Sequence, residues 1–350
     1  MKYIKEIDGL RFFAIFFVLM HHFASIFSKF IDWGYYGVDL FFVISGFLIS
    51  SILLNTKGEN FSSIYKNFIG RRVLRIFPLY YCTIILLFII GAPGAKTYIF
   101  SLLSYTFNYK FPFIPVSEPN VIGHFWSLCV EEQFYLFWPL MLIPLRKKSA
   151  LLLLITIIII IFAYSQITFN WIKPLSVYNY SGLPTRMGSL GLGALGAILE
   201  KYYTLPKSWF KSLWIEILAF ALLTFALIFS IQVILGLCSL FLILKTAKKG
   251  FCIPLINNFL SNKAVIYIGS ISYGIYVFHI PVGYFFAAGI FDHYWNLINF
   301  NALGIFKILK WHSWILKFPL YSGLSIGVAS LSYKYFEKPI LQLKDKYFKY

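Results

Sequence analysis

Apolar runs separated by short polar segments follow one another along the whole chain. Ten of these runs come close to the roughly 20 residues that a helix needs to cross a bilayer. Their approximate bounds are 10–30, 35–54, 77–92, 121–145, 149–165, 184–200, 213–230, 231–245, 264–290 and 316–333. The pattern predicts an all-α fold, a polytopic bundle of about ten transmembrane helices that forms one membrane domain over residues 1–350.

Composition and charge placement agree with this prediction. Of the 350 residues, 59% are hydrophobic and only 13% are charged, whereas a soluble domain has about 25% charged residues. A net charge of +18 is also typical of nucleic-acid-binding proteins. However, ten spans with the N-terminus inside place 23 Lys and Arg residues in inside segments and 7 in outside segments. This asymmetry follows the positive-inside rule, predicts both termini in the cytoplasm and argues against a nucleic-acid partner.

Two other signals are absent from the sequence. The first apolar run is too long for the core of a signal peptide and has no small-residue cleavage site after it. The four cysteines have no spacing typical of a disulfide framework or a metal site. We therefore expect an uncleaved N-terminus and no metal centre.

Arg11 and His22 lie eleven residues apart in the first apolar run. In a helix this spacing places both side chains on one face, about 16 Å apart along the axis. Ionisable groups in membrane segments usually face the protein interior or a water-filled cavity. We expect one wall of a pathway here, with His22 as a general base. A polar group hydrogen-bonded to a neighbouring helix is the alternative, and Asp8 is spaced to pair with Arg11.

Asp39 stands in the second apolar run and needs a partner there. Arg11 and His22 are the candidate partners. Paired with His22, Asp39 would orient the imidazole; paired with Arg11, it would be structural. The sequence leaves both pairings open.

The basic segment RRVLR precedes the third apolar run. Arg72 and Arg75 are one helical turn apart, so their guanidinium groups can point the same way, whereas Arg71 points elsewhere. A topological anchor that contacts lipid phosphates is one explanation. A phosphate-binding site is the other, because planar guanidinium groups suit bidentate phosphate contacts.

Glu131 and Glu132 interrupt the aromatic run FWSLCVEEQFYLFWPL. Two carboxylates in a membrane segment are costly, so a function is expected. They point about 100° apart, and at most one should face His22. Further candidates for substrate contact or support are Trp126, Ser127, Arg186, Tyr273 and His279.

Taken in order, six segments resemble the acyltransferase 3 family of membrane O-acyltransferases. They are IDGLRFFAIFFVLMHHF, GVDLFFVISGFLI, RRVLRIFPLYY, FWSLCVEEQFYLFWPL, ISYGIYVFHIP and YFEKPI. The resemblance implies a ten-helix bundle in the inner membrane that transfers an acyl group, often acetyl, from a cytoplasmic coenzyme A thioester such as acetyl-CoA. The acceptor would be a sugar hydroxyl in a cell-envelope glycan, an exopolysaccharide or a glycosylated metabolite.

The resemblance also implies roles for individual residues. The cluster of Arg71, Arg72 and Arg75 would bind the coenzyme A phosphates, and His22 would activate the acceptor hydroxyl or carry the acyl group. Glu131 or Asp39 would hold the imidazole. Arg11 would steady the pantetheine arm or the developing oxyanion.

Many relatives carry an additional esterase-like domain after the last helix, and we expect a form without it. Two rival functions stay open. The first is a proton-coupled transporter or flippase of a glycan or lipid-linked sugar, although no repeated half is visible in the sequence. The second is a membrane sensor or scaffold without chemistry, which the cost of the intramembrane charges argues against.

Overall fold

A computed structural model of the chain describes residues 4–28, 31–56, 60–115, 120–145, 148–171, 180–204, 206–229, 231–248, 250–299 and 314–348. Every regular element in these residues is helical, which confirms the predicted all-α class. Some basic residues of the charge count lie outside the described residues: Lys2, Lys29, Lys57, Arg146, Lys147, Lys173, Lys249, Lys307, Lys310 and Lys349.

The α-helices are numbered here in chain order. They are α1 (Lys5–Phe23), α2 (Ser25–Ser28), α3 (Trp33–Asn55), α4 (Phe61–Ile89), α5 (Ile99–Leu103), α6 (Phe125–Leu142), α7 (Lys148–Trp171), α8 (Leu183–Tyr202), α9 (Lys207–Lys211), α10 (Leu213–Phe229), α11 (Gln232–Ala247), α12 (Pro254–Leu260), α13 (Lys263–Ser270), α14 (Ser272–Val282), α15 (Asp292–Leu297), α16 (Trp314–Ser332) and α17 (Lys338–Tyr347). Short 3₁₀ turns lie at Phe107–Tyr109 and Phe111–Phe113, and π-helical segments at Gly283–Phe291 and Tyr333–Glu337.

Each of the ten predicted apolar runs overlaps an observed helix or a bent helix pair. Within the described residues, three helices are long and apolar enough to cross a membrane by themselves, namely Trp33–Asn55, Phe61–Ile89 and Trp314–Lys344. A fourth forms if the helices on either side of Ile271, which are bent by 70°, count as one span. These helices indicate a membrane protein, and the count of ten spans stays a prediction.

The segment before the third apolar run is helical, whereas the apolar pattern predicted a loop as far as residue 76. The single helix α4 begins at Phe61 and continues through Pro78. Its start is fixed by Asn60, whose side chain accepts a hydrogen bond from the Ser63 backbone N–H at 2.8 Å. A polar segment between two apolar runs is typical of a loop. The start of α4 is nevertheless helical, because Asn60 caps it and no proline interrupts its first turns.

Glycines set the closest helix contacts in the core. A Cβ on Gly46 of α3 would collide with the Leu190 carbonyl, and a Cβ on Gly193 of α8 would collide with the Val43 carbonyl. The helix α8, which contains several glycines, therefore packs closely against α3. A Cβ on Gly37 would lie 2.5 Å from the Ala14 carbonyl, so α1 approaches α3 in the same way.

Candidate active site

A cavity of about 490 Å³ lies beside the first half of α1. We call it the arginine cavity because Arg11, Arg72 and Arg75 all line it. Arg11 and Arg72 both act electrostatically on Arg75, so three cations share one space. Asp8 offsets part of this charge, since its carboxylate lies 3.4 Å from Arg11 Nη1. The predicted Asp8–Arg11 pair is therefore confirmed.

The three arginines of α4 separate as their spacing predicted. Arg72 and Arg75 face the arginine cavity, and the Arg72 guanidinium lies 5.5 Å from the ring centre of Tyr135. Arg71 instead donates a hydrogen bond to the Phe348 carbonyl at 2.6 Å and is not part of the cavity lining. Arg71 thus points away from the cavity, as its position about 100° round the helix from Arg72 predicts, and its role in cofactor binding stays a prediction.

The two glutamates of α6 also face different surroundings. Glu131 lines the arginine cavity and accepts hydrogen bonds from Ser45 Oγ and Tyr135 Oη, both at 3.0 Å. Glu132 is not in the lining, and its Oε1 is buried without a hydrogen-bond partner among the described residues. The carboxylate of Glu131 is thus held in the arginine cavity by two donors, and its predicted role as the support of His22 stays a prediction.

Three histidines meet near the end of α1, and we call them the histidine cluster. The ring centre of His279 on α14 lies 5.0 Å from that of His22 and 4.9 Å from that of His124. His124 and His279 are buried, whereas His22 is exposed. His22 therefore has the most exposed side chain of the cluster.

Backbone carbonyls orient the two buried imidazoles. His279 Nδ1 lies 2.6 Å from the Tyr276 carbonyl, and His124 Nε2 lies 3.2 Å from the Val277 carbonyl. Since a carbonyl only accepts, each of these nitrogens must carry the proton. In the neutral rings, His279 Nε2 and His124 Nδ1 are then acceptors, and neither has a hydrogen-bond partner among the described residues.

Ser127 and Tyr276 connect the arginine cavity to the histidine cluster. Both residues line the cavity. Their hydroxyl oxygens lie 2.6 Å apart, and each donates towards the His124 carbonyl, at 3.1 Å from Ser127 and 3.0 Å from Tyr276. The Tyr276 ring also lies 5.6 Å from the ring centre of His124 and 5.4 Å from that of His279, so Tyr276 contacts both the cavity and two of the three imidazoles.

Asp39 has a partner that the sequence did not indicate. Its Oδ1 lies 3.2 Å from Arg186 Nη1 and accepts a hydrogen bond from Ser189 Oγ at 3.0 Å. Arg186 is buried, and its guanidinium lies over the rings of Tyr35 at 4.2 Å and Trp126 at 5.3 Å. The expected pairing of Asp39 with Arg11 or His22 is wrong, because the close packing of α3 on α8 brings Arg186 to it.

The remaining candidates divide between these sites. Tyr273 lines the arginine cavity and donates to the Ile76 carbonyl at 2.9 Å. Arg11 and His22 were predicted to line one wall of a single pathway. In the structure Arg11 lines the arginine cavity, whereas His22 belongs to the histidine cluster. Among the described residues, no group of three His, Cys, Asp or Glu side chains is placed to hold a metal ion.

Sequence reasoning assigned no role to His124, Tyr276, Tyr135 or Ser45. Two of these four residues, His124 and Tyr135, could have been identified from their helical spacing to a predicted site residue. His124 precedes Ser127 by three residues and Tyr135 follows Glu131 by four, so each pair shares a helix face. Ser45 and Tyr276 had no such signal, because their contacts join different helices.

The family of this chain follows from a match to known protein families. A family model described as an acyltransferase domain matches residues 4–334. The chain belongs to the acyltransferase 3 family. This confirms the resemblance. The histidine cluster lies within the matched residues, and so does the lining of the arginine cavity except for Glu337, Leu341 and Lys344.

Curated relatives extend the comparison. A Bacillus subtilis protein provisionally named peptidoglycan O-acetyltransferase YrhL is 28% identical over 97% of this chain and 55% of its own length. The O-acetyltransferase OatA of Staphylococcus aureus is 26% identical over 80% of this chain and 51% of its own length. The chain spans about half the length of the curated relatives it matches. No solved structure matches the chain.

Proposed function

We propose that this protein is a multi-pass O-acyltransferase of the cytoplasmic membrane that transfers an acyl group, most simply acetyl, from acyl-CoA to a sugar hydroxyl of a cell-envelope glycan. The observation that carries the proposal is the connection of three arginines to three histidines through Ser127 and Tyr276. The names of the relatives support acetyl as the acyl group and peptidoglycan as one acceptor of the right class.

The arginine cavity is the proposed donor site. The three arginines share the cavity with the carboxylates of Asp8, Glu131 and Glu337. Their planar guanidinium groups suit bidentate contacts with a phosphate. Arg72 and Arg75 hold the diphosphate of coenzyme A, and Arg11 steadies the pantetheine arm. Glu131 fixes Tyr135, whose ring supports the Arg72 guanidinium.

The histidine cluster is the proposed site of chemistry. The contact between Ser127 and Tyr276 must open so that the thioester reaches His22. A nitrogen of His22 then takes the proton of the acceptor hydroxyl, the oxygen attacks the thioester carbonyl, and the C–S bond breaks. The departing coenzyme A thiolate takes up a proton, so the products are an ester and a free thiol.

His279 replaces the acids as the proposed support of His22. Its Nδ1 is fixed by the Tyr276 carbonyl, which leaves Nε2 as an acceptor facing no other described partner. An N–H of His22 that donates to this nitrogen leaves the other nitrogen of His22 free to act as the base. His279 is thus a positioning residue, and the ring of His124 packs against it at 4.9 Å between ring centres.

The acceptor is proposed to approach at the opposite end of α1 from the donor. Arg11 and His22 are eleven residues apart, or about 16 Å along the helix, and His22 is exposed. With the N-terminus in the cytoplasm, as the charge distribution predicts, coenzyme A binds from the inside and the glycan meets His22 from the outside.

Radiolabelled acetyl-CoA and peptidoglycan fragments, incubated with the purified protein, test the proposal. The wild type should transfer label to the glycan as a base-labile ester, and His22→Gln should lose at least about 99% of the rate, the size of a general-base contribution. His293→Gln is the matched control, because His293 is exposed and its described ring contact is to Tyr294. Equal rates for wild type and His22→Gln would refute the chemistry.

The donor site is tested by binding. Arg72→Gln with Arg75→Gln should weaken coenzyme A binding about 100-fold, since each charge-assisted hydrogen bond contributes about 1.5–3 kcal/mol. Arg71→Gln, which changes the neighbouring arginine outside the cavity lining, should leave the dissociation constant unchanged. Equal affinities of the two variants would assign these arginines to lipid contact instead.

A further inference from the structure

A second cavity, of about 930 Å³, opens at the same end of the bundle. Ile4, the residue before α1, lines both this cavity and the arginine cavity, so the first turn of α1 stands between them. The last residues of α3, α8 and α11 form much of its wall. Its charged and amide side chains include Lys5, Glu6, Asn55, Glu200, Lys201 and Lys248.

The second cavity combines cations with hydrogen-bond acceptors. Lys201 Nζ donates to the Leu54 carbonyl near the end of α3. The Lys248 ammonium acts electrostatically on Glu200. The carboxylates would repel a purely anionic ligand. A ligand with a phosphate could pair with the lysines, and its hydroxyl and amine donors could bond to the carboxylates.

The size of the arginine cavity points to such a ligand. Pockets for drug-sized ligands have volumes of about 300–1,000 Å³, and the arginine cavity, at about 490 Å³, lies in the lower half of that range. A coenzyme A thioester has a nucleotide, a diphosphate and a long pantetheine arm, and it is larger than a drug-sized ligand. The part of the donor that the arginine cavity cannot hold must lie next to it.

The start of α1 offers a passage between the two cavities. The residue before the helix, Ile4, makes no side-chain cap, so the first backbone N–H groups of α1 are not used by such a cap. Exposed N–H groups at a helix N-terminus favour phosphate groups. A diphosphate placed there would have Arg72 and Arg75 on one side and the second cavity on the other.

We propose that the second cavity binds the adenosine 3′-phosphate end of the acyl-CoA donor, with Lys5 and Lys201 on the 3′-phosphate and with the carboxylate of Glu200 and nearby carbonyls on the base and ribose. This inference rests on the proposed function for the identity of the donor. It makes the cytoplasmic end of the protein a two-part site, in which the arginine cavity takes the pantetheine arm and the second cavity takes the nucleotide.

The test compares coenzyme A with dephospho-coenzyme A, which lacks only the 3′-phosphate. Binding of each to the purified full-length protein is measured, together with the transfer rates of their acetyl thioesters. The wild type should bind coenzyme A about tenfold more tightly, the equivalent of one charge-assisted hydrogen bond. Lys5→Gln with Lys201→Gln should remove this preference and leave dephospho-coenzyme A binding unchanged.

Two further variants separate the possible outcomes. Lys263→Gln changes an exposed lysine outside both cavities and should keep the preference for coenzyme A. Ser261→Trp places an indole at the exposed edge of the second cavity. This variant should weaken coenzyme A binding without slowing transfer from acetyl-pantetheine, which has no nucleotide.

The subsite would be overturned if the wild type bound coenzyme A and dephospho-coenzyme A equally well and the double variant did the same. A lipid headgroup would then be the better occupant. A preserved coenzyme A preference with no transfer to any glycan would support the subsite and contradict the proposed function.

Discussion

At the scale of single residues, the orientation of His279 is the feature with the sharpest consequence. Its Nδ1 is occupied by the Tyr276 carbonyl, so only Nε2 can serve His22. Glutamine places its amide near the position of Nε2, whereas asparagine places its amide near that of Nδ1. We expect His279→Gln to retain several times more transfer activity than His279→Asn, with the same KM for acetyl-CoA in both variants.

Steady-state rates of the purified variants, corrected for the folded fraction, check this prediction. Equal loss in both variants, together with a lower thermal stability, would mean that His279 only fills the core. A larger loss in the glutamine variant would mean that Nδ1 is the functional nitrogen and would reverse the proposed arrangement.

Asp39 shows what a single sequence can and cannot predict about a site. The cost of a carboxylate in an apolar run correctly predicted that Asp39 has a charged partner. The partner is Arg186, 147 residues away along the chain, and no local spacing carries that information. His22 and His279 met in the same way, through helix packing, whereas Arg72 and Arg75 were predictable because one helix turn joins them.

The Asp39–Arg186 pair also gives a stability prediction. Asp39→Asn removes the charge that balances a buried guanidinium, and breaking a buried ion pair costs about 3–5 kcal/mol. Arg186→Gln added to Asp39→Asn should recover part of that loss, because neither partner is then charged. Thermal unfolding of the two variants in detergent measures the difference, and additive effects would show that the two side chains are not coupled.

At the scale of helices, the contact between α3 and α8 holds Asp39 and Arg186 in place. A Cβ on Gly193 would lie 2.6 Å from the Phe47 backbone nitrogen and would collide with the Val43 carbonyl. We expect Gly193→Ala to destabilise the protein by about 1–3 kcal/mol, the usual cost of overpacking. Gly327→Ala on α16 is the control, since nothing lies within 4 Å of its Cβ position.

The control variant Gly327→Ala also has a predicted effect on stability. Alanine in an open helix position is favoured over glycine by about 0.8–1.0 kcal/mol, so Gly327→Ala should leave the melting temperature unchanged or raise it. If Gly193→Ala melted at the wild-type temperature, α3 and α8 would be able to separate, and the buried ion pair would not depend on their close approach.

The sequence predicted where the helices lie better than it predicted where each helix begins and ends. Apolar length located the helices because burial and the bilayer both select it. It failed for α4, whose first turns are charged and still helical, and it merged α13 with α14 across a 70° bend. Both departures shape the site, since Arg72 and Arg75 stand on the charged turns and His279 on the helix after the bend.

At the scale of the whole molecule, the two ends of the bundle have different chemistry. The cations that suit coenzyme A lie where α1 begins, and the exposed imidazole of His22 lies where α1 ends. Under the proposed function, and with the basic end in the cytoplasm, the acyl group would enter from the inside and leave on a glycan outside, crossing the membrane within the core of the protein.

Cysteine labelling on intact cells tests this orientation. In a variant without the four native cysteines, Phe27→Cys reports the end near His22 and Lys263→Cys reports the basic end; both positions are exposed. A membrane-impermeant maleimide should label the first in intact cells and the second only after permeabilisation. The reverse pattern would place the arginine cavity outside, away from the cytoplasmic pool of coenzyme A. Labelling of both positions in intact cells would put the two ends on the same side, and His22 and the arginines would then share one aqueous face with no need for the acyl group to cross.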